Sequence, residues 1–122
     1  MVAQVFEDLD VWRKAMDLAA EIYGICRKAP LSRDYGFRDQ IQRAAVSIPA
    51  NIAEGYERDS DKEYIRYVFI AKGSSGELRC LLRLAHRLGY LHHQECEDLV
   101  EKAQEISRML NGLIASIKRR FP

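Results

Sequence analysis

Lys72, Arg79, Arg83 and Arg87 are the residues whose type and spacing most directly suggest chemistry. On a helix, at about 100° per residue, they fall within one arc, while acidic Glu77 lies elsewhere. Guanidinium groups at successive turns can hold phosphates in paired hydrogen bonds, which predicts salt-dependent binding of RNA or DNA. A competing reading has the same cations as a solvated face, or paired with the acids that follow: Glu95, Glu97, Asp98, Glu101 and Glu105. The residues alone leave the two readings open. Lys118, Arg119 and Arg120 add a basic C-terminal end that complements a helix dipole.

A second constellation lies in the segment from Arg43 to Tyr56, RAAVSIPANIAEGY. Gln40, Arg43, Ser47, Asn51 and Glu54 share one polar line around Pro49. The line could grip a ligand, but its expected role is structural: satisfying carbonyls freed by the proline and pairing internally. His92, His93 and Cys96 are the only grouping with metal-ligand character, and no fourth ligand with suitable spacing accompanies them, so no metal is expected. No Ser, His and acid cluster can be assembled, and no cofactor motif is present, so the expectation is a protein without catalysis. Gly73-Ser74-Ser75-Gly76 lacks the preceding strand and following Lys-Ser/Thr of a phosphate loop. Its glycines predict a close approach by another backbone, that of the Pro49 helix.

These residues need helices to position them, and the hydrophobic pattern supplies four. The 122 residues suit a single domain spanning 1–122, with helices at about 10–28, 35–56, 60–88 and 93–120. The first carries the row Trp12, Ala15, Met16, Ala19, Ile22, Tyr23 and Cys26, and is expected to end before Pro30. The second carries Phe37, Ile41, Ala44, Ile48, Ile52 and Gly55, with Pro49 predicting a kink. The third opens on a capping box, Ser60 to Glu63, and stops at Gly89, with Tyr64, Tyr67, Ala71, Ser75, Leu78, Leu82 and Ala85 as its core line. The fourth repeats Leu99, Ala103, Ile106, Leu110, Leu113 and Ile117. Short connections and the absence of period-two alternation give an all-α, antiparallel up-down-up-down four-helix bundle.

Three helices carry more apolar surface than one bundle needs. Val11, Leu18 and Ile25 form an extra row on the first, and Val46, Ala50 and Ala53 on the second. The third adds Ile70, Leu81, Leu84 and Leu88 on one flank, and Ile65 with Phe69 on another. Exposed together, such rows predict self-association into a homo-oligomer. A net charge of +1 is low for a general polyanion binder, so any such site must come from how charge is distributed. No apolar run is long enough to cross a membrane, and no signal-peptide core is present. The odd count of cysteines (Cys26, Cys80, Cys96) reads as small buried residues of a reducing cytoplasm.

The stretch RAAVSIPANIAEGYERDSDKEYIRY, with LDVWRKAMDLAAEIY before it and AKGSSGEL and LGYL after, resembles the bacterial 23S rRNA intervening-sequence proteins. The resemblance runs from Leu9 to about Lys118, and Tyr35-Gly36-Phe37 stands where the family often has Phe-Gly-Leu. It implies a four-helix bundle assembling as a homopentamer, associated with rRNA genes. A related branch, the accessory variability determinants of diversity-generating retroelements, forms similar rings that bind nucleic acid and a reverse transcriptase. That branch is strongly basic, whereas this chain is near neutral.

Overall fold

A computed structural model describes residues 4–120. The main elements are α1 (Asp10–Ile25), α2 (Tyr35–Tyr56), α3 (Asp61–Arg87) and α4 (His93–Lys118), with single 3-10 turns at Phe6–Asp8 and Leu31–Arg33. Among the described residues there is no strand. Each end has a local cause. α1 stops at Ile25, short of Lys28, because its last turn tightens: Arg27 and Lys28 donate to carbonyls three residues back, at Gly24 and Ile25. At the start of α2 the Asp34 carboxylate accepts from the Phe37 amide (3.2 Å) and from the Tyr90 hydroxyl (2.7 Å), tying this end to the α3–α4 turn. Those two hydrogen bonds, the tyrosine's first, hold the Asp34 carboxyl below its ordinary range. Ser60 caps α3 by accepting from the Glu63 amide (3.2 Å), while the Glu63 carboxylate turns to Arg66 instead of completing the box. α3 closes at Gly89, whose φ of 81° lets Tyr90 donate to Ala85 and Gly89 to His86. This paired closure needs the left-handed residue that glycine supplies.

The helices pack in a cycle, α1 on α2, α2 on α3, α3 on α4 and α4 on α1, with α3 making the most extensive contacts. Residue numbers rise on one helix as they fall on its neighbour: Ser47 meets Ser74 while Gly55 meets Tyr67, and Ser75 meets Ser107 while Leu82 meets Cys96. α2 and α3, and α3 and α4, therefore run in opposite directions. α2 continues through Pro49, which is buried along with Ile48 and Ile52.

Several sequence expectations need correction. Val11 (5% exposed), Leu18 (2%) and Ile25 (9%) belong to the core and not to a spare row for another subunit. α1 meets α2 on one side and α4 on the other, so its buried arc centres on Ala15, Leu18 and Ile22 and leaves Met16 and Tyr23 half out in solvent. Leu81 is likewise core, and Val68 takes the buried place expected of Tyr67. Cys26 and Cys96 are buried, but Cys80 is exposed on the outer face of α3.

The Gly-Ser-Ser-Gly segment works the other way round from the prediction. A Cβ built on Gly73 or Gly76 would meet nothing within 4 Å, so neither glycine admits a neighbouring helix. The serines face inward instead. Ser74 shares a 2.7 Å hydroxyl contact with Ser47 of α2, while fully buried Ser75 donates to the Ala103 carbonyl of α4 (2.8 Å) and accepts from Ser107 (2.9 Å). The glycine that brings two helices together is Gly55, where an added Cβ would stand 2.7 Å from Tyr67 Cβ.

Candidate nucleic-acid interface

Lys72, Arg79, Arg83 and Arg87 all sit on the flank of α3 that borders α4. Arg83 is engaged: its guanidinium donates to Glu97 at 2.5 Å, which draws the Glu97 carboxyl below its ordinary value. Arg87 is exposed and pairs with no acid among the described residues, and Lys72 and Arg79 are half-buried. Arg79 Nε is shielded from solvent and finds no hydrogen-bond partner among the described residues, an unmet donor of the kind that costs stability unless an acceptor arrives.

The acids of α4 do not neutralise this flank as a group. Glu105 turns to Lys14 of α1, and that contact holds its carboxyl low. Asp98 accepts from Gln94 on its own helix at 2.9 Å. Lys102, on the same side, reaches Glu21 of α1 at 2.6 Å. Of the five acids on α4, Glu97 and Glu101 share the side toward α3, and Glu101 is paired with Arg108 at 2.9 Å. Arg108 was not singled out from sequence. It lies one heptad beyond Glu101, and that spacing was the available signal. Lys118 extends the flank, with its Nζ 5.8 Å from the Phe69 ring. Lys72, Arg79, Arg83, Arg87, Arg108 and Lys118 thus lie along this edge with Glu97 and Glu101, and at its end Asp61 of α3 is paired with Arg120 at 2.8 Å.

The polar line on α2 divides. Ser47 and Asn51 are structural: the Asn51 amide donates to the Ser47 carbonyl (2.8 Å) and hydroxyl (2.9 Å), and Ser47 continues to Ser74. The carbonyl opposite Pro49 is that of Ala45, so this network serves the α2–α3 contact and not the gap left by the proline. Glu54 pairs with Arg58 at 2.8 Å, and Arg58 and Arg66 each stand 4.8 Å from the Tyr67 ring. Gln40 and Arg43 stay in solvent beside Glu77 in a shallow cleft. Cys96 turns inward to the Leu82 carbonyl, and the exposed His93 stacks edge-on against His86. Among the described residues no three His, Cys, Asp or Glu side chains are grouped to hold a metal.

The residues expected at an oligomer interface fall on separate surfaces. Leu84 (42% exposed) and Leu88 (47%) share the outer side of α3 with Ile70. Val46 and Ala50 are exposed on the outer side of α2, with Ala53 half-buried beside them. Ile65 and Phe69 lie apart from these, on the cationic flank near Lys118. No helix among the described residues is long and apolar enough to cross a membrane.

Fold and surface together define an all-α four-helix-bundle protein with a run of cations along one helix pair. Residues 7–112 match the model of the 23S rRNA-intervening sequence protein family, and the chain belongs to that family. A solved structure from Bacteroides thetaiotaomicron, a protein of unknown function from the S23 ribosomal protein family, is similar, with a TM-score of 0.80 and 25% sequence identity. The match covers 86% of this chain and 95% of that one. No curated protein matches.

Proposed function

We propose that this protein is a non-catalytic, self-assembling scaffold that associates with RNA or DNA through the cationic flank of α3 and α4. The observation that carries the reading is the sorting of charge in a chain of net charge +1. α1 engages Glu105 and supplies Glu21 to Lys102, so the flank toward α3 keeps its cations in excess. A row of guanidinium and ammonium groups on rigid helices suits a phosphate backbone, and the unmet Arg79 donor lies within that row. Membership of a family named for 23S rRNA intervening sequences agrees with a nucleic-acid partner. Ile70, Leu84 and Leu88 on α3, with Val46, Ala50 and Ala53 on α2, supply apolar surface for sister copies. Repeating the flank in each copy would let weak phosphate contacts add up.

The test substitutes Lys72, Arg79 and Arg87 by Glu together, leaving Arg83 to hold Glu97. Salt-sensitive binding to a ribosomal RNA fragment should be lost in this variant while the mass by light scattering is unchanged. Binding that survives the triple change rejects the flank. A stable oligomer with no affinity for RNA or DNA at low salt would favour a scaffold that contacts only protein.

A further inference from the structure

Phe69 is 46% exposed, yet it sits on the cationic flank with an ammonium group close to its ring. It projects from the α4 side of α3, with Lys72 three residues on and Lys118 Nζ 5.8 Å from the ring centre. Helical side chains lean toward the N-terminus, so the residues that would cover the C-terminal side of this ring are those one and two turns later. Those positions are Gly73 and Gly76, and nothing stands within 4 Å of where their Cβ atoms would be. The ring therefore has an open side, bounded by bare helix backbone, with the Lys118 ammonium near it and Lys72 on the next turn of the helix. Neither glycine gains anything from packing inside the chain, and each costs about 1 kcal/mol in a helix interior.

Such a surface selects its occupant on two grounds. The cations favour a polyanion, and the open ring favours a planar group that can lie against it. An acidic peptide meets the second only where an aromatic side chain happens to fall beside its carboxylates, whereas nucleic acid carries a planar base with every phosphate. A nucleic-acid duplex meets only the first, since its bases are stacked on one another. A single strand meets both, offering phosphates to the cations and unstacked bases to the aromatic face. We infer that Phe69, with Lys72 and Lys118, is a stacking platform for an unpaired base, so that the flank prefers single-stranded nucleic acid to duplex. The inference rests on the reading of the flank as a nucleic-acid surface and adds the form of nucleic acid it takes.

Fluorescence anisotropy tests it with labelled strands of about 15 nucleotides: single-stranded RNA, single-stranded DNA and an RNA duplex, each at low salt. The wild-type protein should bind both single strands more tightly than the duplex. Phe69→Leu keeps an apolar side chain without a π face and should weaken single-strand binding on the order of tenfold, leaving duplex binding unchanged. Phe69→Trp should bind single strands at least as well as wild type. The inference is overturned if Phe69→Leu binds single strands normally, if duplex binds as tightly as single strand, or if Phe69→Leu lowers the mass by light scattering, which would make the ring a subunit contact. Wild-type protein that binds none of the three probes removes the flank reading itself, an outcome distinct from equal binding of all three.

Discussion

Gly55→Ala places a methyl group where the α2–α3 contact leaves no room. The new Cβ would stand 2.7 Å from Tyr67 Cβ and 3.1 Å from the Tyr64 carbonyl oxygen. One neighbour is the first side-chain atom of a helical residue and the other is backbone, so neither can rotate away and the helices must separate. Separation strains the Ser47–Ser74 contact (2.7 Å) and the Asn51 bonds behind it. Overpacking of this kind costs about 1–3 kcal/mol, with the short contact pointing to the upper part of that range. Better helix propensity returns about 1 kcal/mol, leaving a net loss of roughly 1–2 kcal/mol. For a chain of 122 residues that is a fall in Tm of about 3–10 °C. The same change at Gly73 or Gly76 has the opposite sign, because the methyl enters open space in the middle of α3 and the helix gains up to ~1 kcal/mol per site. Urea unfolding followed by circular dichroism, at several protein concentrations, measures all three variants with the wild type as reference. Gly55→Ala as stable as wild type would refute the reasoning, as would Gly73→Ala and Gly76→Ala each lowering stability.

Other consequences can be checked separately. Ser75→Ala removes a buried hydroxyl and leaves the Ala103 carbonyl short of a donor, which should cost about 1–3 kcal/mol in urea titrations. Burial, the main cause, pushes the Tyr64 hydroxyl up to about 12, and the hydrogen bond to Asp34 raises Tyr90 as well, so Tyr64 and Tyr90 should titrate late among the six tyrosines in a spectrophotometric titration, and Tyr64→Phe should remove one late step. Because the folded Tyr64 value is raised, its stabilising contribution is complete below the ordinary value of 10.0 and is lost as pH climbs toward about 12, a loss Tyr64→Phe should abolish. Asp34 has the opposite sign. Its lowered carboxyl contributes stability above the ordinary value of 3.8 and loses it as pH falls through the lower folded value, so acid unfolding of Asp34→Asn should show a weaker pH dependence. Leu84→Glu with Leu88→Glu should reduce the solution mass by light scattering without loss of helix content.

What could be read from the residues depended on how local the cause was. α2 spans the range its periodicity predicts, because apolar spacing and a chain break at each end are both near in sequence. The arc on α1 was rotated: Met16 and Tyr23 fit the wheel as well as Leu18 and Ile25 do, and only the positions of α2 and α4 decide between them. At Gly73-Ser74-Ser75-Gly76 the glycines drew attention, but the inward residues are the serines, whose partners lie 27 to 32 positions away. The basic stripe was visible as a set. Its balance was not, since Lys14 pairs with Glu105 across 91 residues and no local pattern encodes that. Arg83 went to Glu97, as the competing reading allowed, while Arg87 did not pair and Arg79 kept a buried donor unmet.

The sharpest check is the salt dependence of binding to a 23S rRNA fragment, measured for the wild-type protein and for the Lys72, Arg79 and Arg87 triple Glu variant. Contacts to phosphate predict affinity falling linearly with salt on logarithmic axes, and the variant should lose the affinity while keeping its mass. Wild-type affinity that ignores salt, or a variant that binds as the wild type does, would contradict the assignment of this flank to nucleic acid.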